Sequence, residues 1–181
     1  LGPIRHDVNV VWDLAPHDLA IMFYVLGQKP KAVVATGSAH VKPEMEDMAY
    51  LTFYFDDNVI AHINVNWLSP VKVRTTLVGG QKKMLVWNDI EPDEKIKIYD
   101  KGVDVKNREN VYNLLVSYRS GDMWSPKVEQ LEALRVETNY FVDCVQKGVT
   151  PFNDGQAGLR VVRMLEACNQ SLKSEGKTIH L

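Results

Sequence analysis

Val59-Ile60-Ala61-His62-Ile63-Asn64-Val65-Asn66-Trp67 is the stretch on which the fold turns. Val59, Ala61, Ile63, Val65 and Trp67 share one face of an extended chain, and Ile60, His62, Asn64 and Asn66 share the other. A period of two with one apolar and one mixed, mainly polar face marks an antiparallel strand packed on one side only. Asp56-Asp57-Asn58 just before it is a hairpin signal. The segment Met48 to Phe55, rich in aromatic and β-branched residues, is then the partner strand. Working outward, Ala32 to Thr36 reads as a strand reaching Val41. Downstream, Val71 to Val78 turns at Gly79-Gly80 into Met84 to Trp87. Ile96 and Ile98 alternate with lysines, and Val111 to Tyr118 makes a last strand before Ser120-Gly121-Asp122. Thr178 to Leu181 is a short terminal strand.

Helical patterns flank the strands. Pro16 in a first turn and Gly27 just past an apolar run punctuate one helix. Leu131, Leu134, Thr138, Phe141 and Val145 recur at spacings of three and four, with Gly148 closing that helix. Asn153 or Asp154 caps another, striped by Val161, Leu165, Cys168 and Leu172. Strands clustered in the middle and helices at the ends give the class α+β with an antiparallel sheet. Six or seven strands and about three helices are expected, with no linker that divides the chain.

Composition narrows the function. The 181 residues fit one domain, 45% hydrophobic and 24% charged, the profile of a soluble globular protein. A net charge of −2 lacks the electrostatic footprint of a nucleic-acid binder. No apolar run reaches the roughly 20 residues of a membrane span. Cys144 and Cys168 sit in helical patterns and read as reduced, buried thiols of a cytoplasmic protein. The opening Leu1-Gly2-Pro3-Ile4 reads as part of a longer polypeptide.

No Gly-x-Gly-x-x-Gly, P-loop, paired-cysteine zinc spacing, His-Glu-x-x-His or Gly-x-Ser-x-Gly occurs. A metal site from His6, Asp13 and His17 has no ligand motif behind it. The densest polar cluster on an apolar background is His6-Asp7-Val8-Asn9-Val10-Val11-Trp12-Asp13-Leu14-Ala15-Pro16-His17-Asp18. Asp13 and His17 are four apart and share a helix face. A carboxylate beside an imidazole can fix its tautomer and fit it for acid–base work near neutral pH. Asp13 also suits an N-cap ahead of Pro16, and His17 suits a half-buried structural histidine. Arg5 and Asn9 precede the helix, where a hydroxyl or an anionic group could be held; the other reading, a solvated loop, is the more ordinary one. Trp12 is either a neighbour of substrate or cofactor or an ordinary core tryptophan. Lys72 and Arg74 alternate with valines as one face of a strand, against a partner or against water. Lys82-Lys83 reads as a solvated turn, and His40 and His62 as structural.

Trp12-Asp13-Leu14-Ala15-Pro16-His17-Asp18 resembles the Asp-x-x-x-His element of the glucose–fructose oxidoreductase / inositol dehydrogenase / MocA family. Asn66 to Arg74, Gly79 to Val86, Asp93 to Gly102, and Pro151 to Gly155 with Gly158 to Val162 are similar to successive segments of its nucleotide-sugar branch. The likeness covers nearly the whole chain.

The resemblance implies an open, mainly antiparallel sheet of about six strands with helices on one face. It implies a single substrate-binding and oligomerisation domain over 1–181, lacking its first strand and the dinucleotide-binding Rossmann domain that precedes it in the family. The implied reaction is hydride transfer between NAD or NADP and a hydroxyl carbon of a sugar or nucleotide sugar. His17 then takes the proton-transfer role and Asp13 the orienting role, while Arg5, Asn9 and Trp12 hold substrate. Trp12 is a potential nicotinamide neighbour, but no cofactor-binding or metal residue is expected in this chain. A homodimer or homotetramer through the open sheet face is implied as well. The family's Glu-Lys-Pro is absent: Gln28-Lys29-Pro30 follows a helix end, and Glu94-Lys95 runs into Ile96. The chain alone is therefore expected to be inactive. Two other readings stand beside this one, a non-catalytic scaffold of the same fold and a stand-alone carbohydrate-binding module.

Overall fold

The computed structural model describes residues 4–106 and 115–181. Its elements are α1 (Val10–Leu26), β1 (Ala32–Ser38), β2 (Met48–Tyr54), β3 (Ile60–Asn66), β4 (Thr75–Gly79), β5 (Met84–Asn88), β6 (Ile96–Tyr99), β7 (Gly102–Lys106), β8 (Leu115–Arg119), β9 (Met123–Trp124), α2 (Ala133–Lys147), α3 (Gly155–Lys173) and β10 (Ile179–His180). The class is α+β with antiparallel sheets, as the strand spacing predicts. Among the described residues the strands number ten rather than six or seven. They form a sheet ordered β10-β1-β2-β3, a second ordered β4-β5-β6-β9, and a β7-β8 pair. Two compact units result, Leu1–Pro70 with Thr138–Leu181, and Val71–Glu137.

In the first unit the period of two sorts side chains as expected. Ala35 stands opposite Leu51 and Leu51 opposite Ile63; Val33 pairs with Phe53, and Ala49 with Val65. All seven are buried and form one cluster with Val10, Val11, Ala15, Leu19 and Met22 of α1 and Met164, Leu165, Ala167 and Cys168 of α3. The apolar stripes of the two helices cover one face of this sheet. The opposite face leaves Tyr50, Tyr54, Ile60, His62 and Asn64 exposed. The hairpin joining β2 to β3 places Asp57 and Asn58 at φ 54° and 59°, the left-handed pair that a tight two-residue turn requires. Cys144 and Cys168 are buried free thiols, and burial pushes Cys168 up to about 12.

In the second unit, Asp89 lies between Arg74 (3.4 Å) and Lys95 (3.7 Å), and the Lys83 ammonium sits 4.6 Å from the Trp124 ring centroid. Gly121 passes so close to the Asp100 carbonyl that no Cβ fits there. Val71 to Arg74 precede β4 rather than belonging to it, so Lys72 and Arg74 are not a strand face; Arg74 pairs with Asp89 instead. The expected strand at Val111 to Tyr118 lies partly outside the described residues, its described part being in β8.

α1 begins six residues before Pro16. Asn9 is its N-cap and Gly27, at φ 62°, its C-cap, so Pro16 sits inside the helix. A proline there removes one helical hydrogen bond. The helix runs through because its buried stripe anchors both sides of that position. Leu51 is fully buried at the centre of the first sheet. Leu51→Ala is expected to lower the unfolding free energy by about 3 kcal/mol, measured by urea denaturation.

Candidate functional site

α1 carries the polar cluster, and the rotation of its apolar stripe decides where each residue points. Asn9 is buried. Its side-chain oxygen accepts the Trp12 N–H at 3.3 Å, and its Nδ2 donates to Glu46 Oε2 at 2.8 Å and Asn169 Oδ1 at 3.0 Å. The Val10 N–H also donates to the Glu46 carbonyl at 3.0 Å. Asn9 thus ties the start of α1 to the β1–β2 loop and to α3. Arg5 is half exposed, and its fork is engaged by Asp7 through Nε–Oδ1 (2.9 Å) and Nη2–Oδ2 (2.6 Å). That hydrogen-bonded pairing lowers the Asp7 carboxyl to about 2 and raises the Arg5 guanidinium. Arg5 Nη1 also lies 4.0 Å from Asp13 Oδ1. Trp12 is half-buried against the core cluster.

Asp13 is half-buried, and its Oδ2 accepts the indole Nε1–H of Trp67 at 2.8 Å. His17 stands one helical turn further along and is exposed. No hydrogen bond joins His17 to Asp13 among the described residues; what they share is the helix face. Together Arg5, Asp13, His17 and Trp67 offer a cation, a pinned carboxylate and a solvent-facing imidazole. Such a set can bind a hydroxyl-rich ligand and move a proton.

Two partnerships were not legible as such in the sequence. Trp67 continues the packed alternation of β3, and that face lies under α1, which brings its indole to Asp13. The alternation alone could have suggested this contact. The other joins His40 to Asp47, read apart in the sequence because the loop between them is irregular. Asp47 is buried at 1% exposure. Its carboxylate accepts the His40 N–H (2.6 Å), the Val41 N–H (2.8 Å) and the His40 ring at Nδ1 (2.7 Å). His62 likewise gains partners, Thr52 Oγ1 at 2.9 Å and a stacked Tyr50 ring at 5.8 Å.

The first turn of α3 does not fit a dinucleotide pyrophosphate. The Asp154 carboxylate already accepts the Ala157 N–H at 2.9 Å, placing negative charge where a phosphate would sit. Among the described residues no group of three or more His, Cys, Asp or Glu is placed to hold a metal. No helix among the described residues is long and apolar enough to cross a membrane.

Residues 5–86 match the GFO/IDH/MocA C-terminal domain. No curated protein matches the sequence. Among solved structures, the chain is similar to UDP-N-acetylglucosamine 3-dehydrogenase GnnA from Acidithiobacillus ferrooxidans, with TM-score 0.74 and 21% identity over 97% of this chain and 51% of that one. It is also similar to an aldose-aldose oxidoreductase from Caulobacter crescentus complexed with glycerol, with TM-score 0.72 and 16% identity over 100% and 52%. A levoglucosan dehydrogenase in complex with NADH matches with TM-score 0.72 and 14% identity over 96% and 50%. The chain spans about half the length of these structures, and at such identities the likeness is one of fold.

Burial pushes the Asp47 carboxyl up, but hydrogen bonds from the His40 ring and then the Val41 and His40 N–H groups outweigh it, and the carboxyl lies below its ordinary 3.8. A folded value below the unfolded one means stability present above the unfolded value and lost as pH falls through the folded one. Unfolding free energy is therefore expected to drop between pH 6 and pH 3. Asp47→Asn should be weaker at pH 6 and lose less over that interval, measured by urea titration at both pH values.

Proposed function

We propose that this chain, whose residues 5–86 match the GFO/IDH/MocA C-terminal domain, is the substrate-binding part of an NAD(P)-dependent sugar dehydrogenase, acting on a nucleotide sugar. The observation that carries this reading is the α1 pair. Asp13 is clamped by Trp67, and His17 stands exposed one turn away with no hydrogen-bond partner among the described residues. A histidine with a packing role alone would be expected to be covered. In this reading a nicotinamide cofactor, when bound, would supply the hydride-transfer chemistry. The chain's own residues do the rest. The His17 ring takes the hydroxyl proton and Asp13 orients and stabilises the imidazolium from one turn below. Arg5 and Trp12 border the same end of α1 and would contact the sugar or its diphosphate. Asn9 acts on substrate only indirectly, through the helix start it holds.

The cofactor's pyrophosphate is held outside this chain, consistent with an α3 start already capped by Asp154. The GnnA likeness supports the nucleotide-sugar class, and the two buried free cysteines support a reducing, cytoplasmic setting. Residues 1–181 carry the substrate-binding and oligomerisation role in this proposal. The test is NAD(P)H formation by the full-length protein on nucleotide sugars. His17→Ala is expected to lower kcat by about 10²- to 10⁴-fold, with the melting temperature unchanged because the side chain is exposed. Unchanged turnover in the variant would sink the assignment.

A second reading, a scaffold that associates without chemistry, draws on the open sheet face. Tyr50, Tyr54 and Ile60 are exposed there beside Thr52, His62 and Asn64. A large partly apolar sheet face is a liability unless covered, and a second copy would cover it symmetrically in a homodimer or, by repetition, a homotetramer. The enzyme reading accommodates the same assembly. Ile60→Asp, on the edge strand of that face, is expected to shift the sedimentation mass toward the monomer while leaving the fold intact. A mass unchanged by the substitution would remove this face as the interface.

A further inference from the structure

Trp67 follows directly on β3, and its main-chain N–H donates to the Asp47 carbonyl at 2.9 Å. Its ring is half-buried against the core cluster. The indole has one donor and no acceptor, so Nε1–H can be satisfied only by an acceptor atom. The atom it meets is Oδ2 of Asp13, 2.8 Å away and 54 residues distant in sequence. We propose that Trp67 is a positioning residue that fixes the Asp13 carboxylate for its action on His17; this rests on the proton-transfer role given to that pair above.

Asp13 is short, but on a helix its carboxyl can still occupy several rotamers and swing about its last torsion. A donor on the same helix would move with it. Trp67 is a donor on a different element, anchored by the sheet. It pins one carboxylate oxygen and leaves Oδ1 on the side of Arg5, whose Nη1 is 4.0 Å away. A hydrogen bond to a carboxylate oxygen is short and directional, so the contact holds the carboxylate in the one orientation that an orienting group needs. The anchor has its own support. Asp47, whose carbonyl holds the Trp67 main chain, is locked by three hydrogen bonds from residues 40 and 41. A tryptophan serving only as core filler would use its ring and could leave its N–H to water.

The test uses the full-length protein with its nicotinamide cofactor and the nucleotide sugar it turns over. Trp67→Phe keeps an aromatic ring and removes the donor. It is expected to lower kcat by about ten- to hundredfold, the range for losing one hydrogen bond to a charged group, with KM nearly unchanged. In that background Asp13→Asn should add little, because the two act as a unit. Losses that simply multiply would overturn the proposal. A second measurement keeps Trp67 in place: Asp13→Asn should move the Trp67 indole N–H proton resonance upfield. An unmoved resonance would overturn the contact whether or not Trp67→Phe folds. If the resonance moves but Asp13→Asn leaves turnover intact, the proton-transfer reading fails and the positioning role falls with it. If Asp13→Asn impairs turnover and Trp67→Phe does not, only the positioning role fails.

Discussion

Burial of the α1 stripe against the first sheet is the interaction on which the rest of this structure depends. Val10, Val11, Ala15 and Leu19 are fully buried, and they share one cluster with Leu51, Phe53, Ile63 and Val65. Each such side chain contributes about 1.5–3 kcal/mol by leaving water. Together they fix the rotation of α1 about its axis. Once that rotation is fixed, every other residue of the helix is assigned a direction. Asp13 falls at the margin of the packed stripe, where Trp67 reaches it, and His17 falls in the open. No polar interaction in this unit could impose that arrangement if the stripe were displaced.

Polar groups then refine what packing has placed. Asn9, Asp47 and Ser171 are buried, and each is hydrogen-bonded, as buried polar groups must be to avoid a desolvation penalty. Asn9 and Ser171 have partners far off in sequence, so their bonds tie elements together: Asn9 joins α1 to the β1–β2 loop and α3, and Ser171 joins α3 to β1. Asp47 organises the same loop that receives Asn9 and Trp67. The loop is irregular in conformation yet held at several points, which is how a loop beside a site can keep fixed geometry without regular secondary structure.

The alternation at 59–67 was sufficient to identify β3, its packed face and its hairpin partner, because a strand's side-chain period is a property of the backbone. The start of α1 was misread because Pro16 is a common first-turn residue, and the competing signal, Asn9 before two valines, is weaker on paper. Its strength appears only when Glu46 and Asn169 are seen to hold the Asn9 amide. Short elements such as β9 carry too few residues for any period to emerge. Lys72 and Arg74 mimicked a strand face through a chance alternation of four residues, and Arg74 is claimed instead by Asp89. The Asp13 and His17 pair was legible from spacing alone, since four residues make one helical turn.

What the sequence determined by itself was periodicity and chemistry: which residues face inward on the strands of the first sheet, that Asp13 and His17 share a helix face, and that no Gly-x-Gly-x-x-Gly is written in these 181 residues. Both follow from local geometry, which repeats every two or 3.6 residues whatever the rest of the chain does. Only the tertiary structure decided that Trp67 clamps Asp13, that Asn9 is a buried tie rather than an open ligand, that Arg5 is engaged by Asp7, and that Asp47 holds His40. Most of these depend on which elements meet and at what rotation. That is set by the packing of apolar surfaces distant in sequence, which no local pattern encodes.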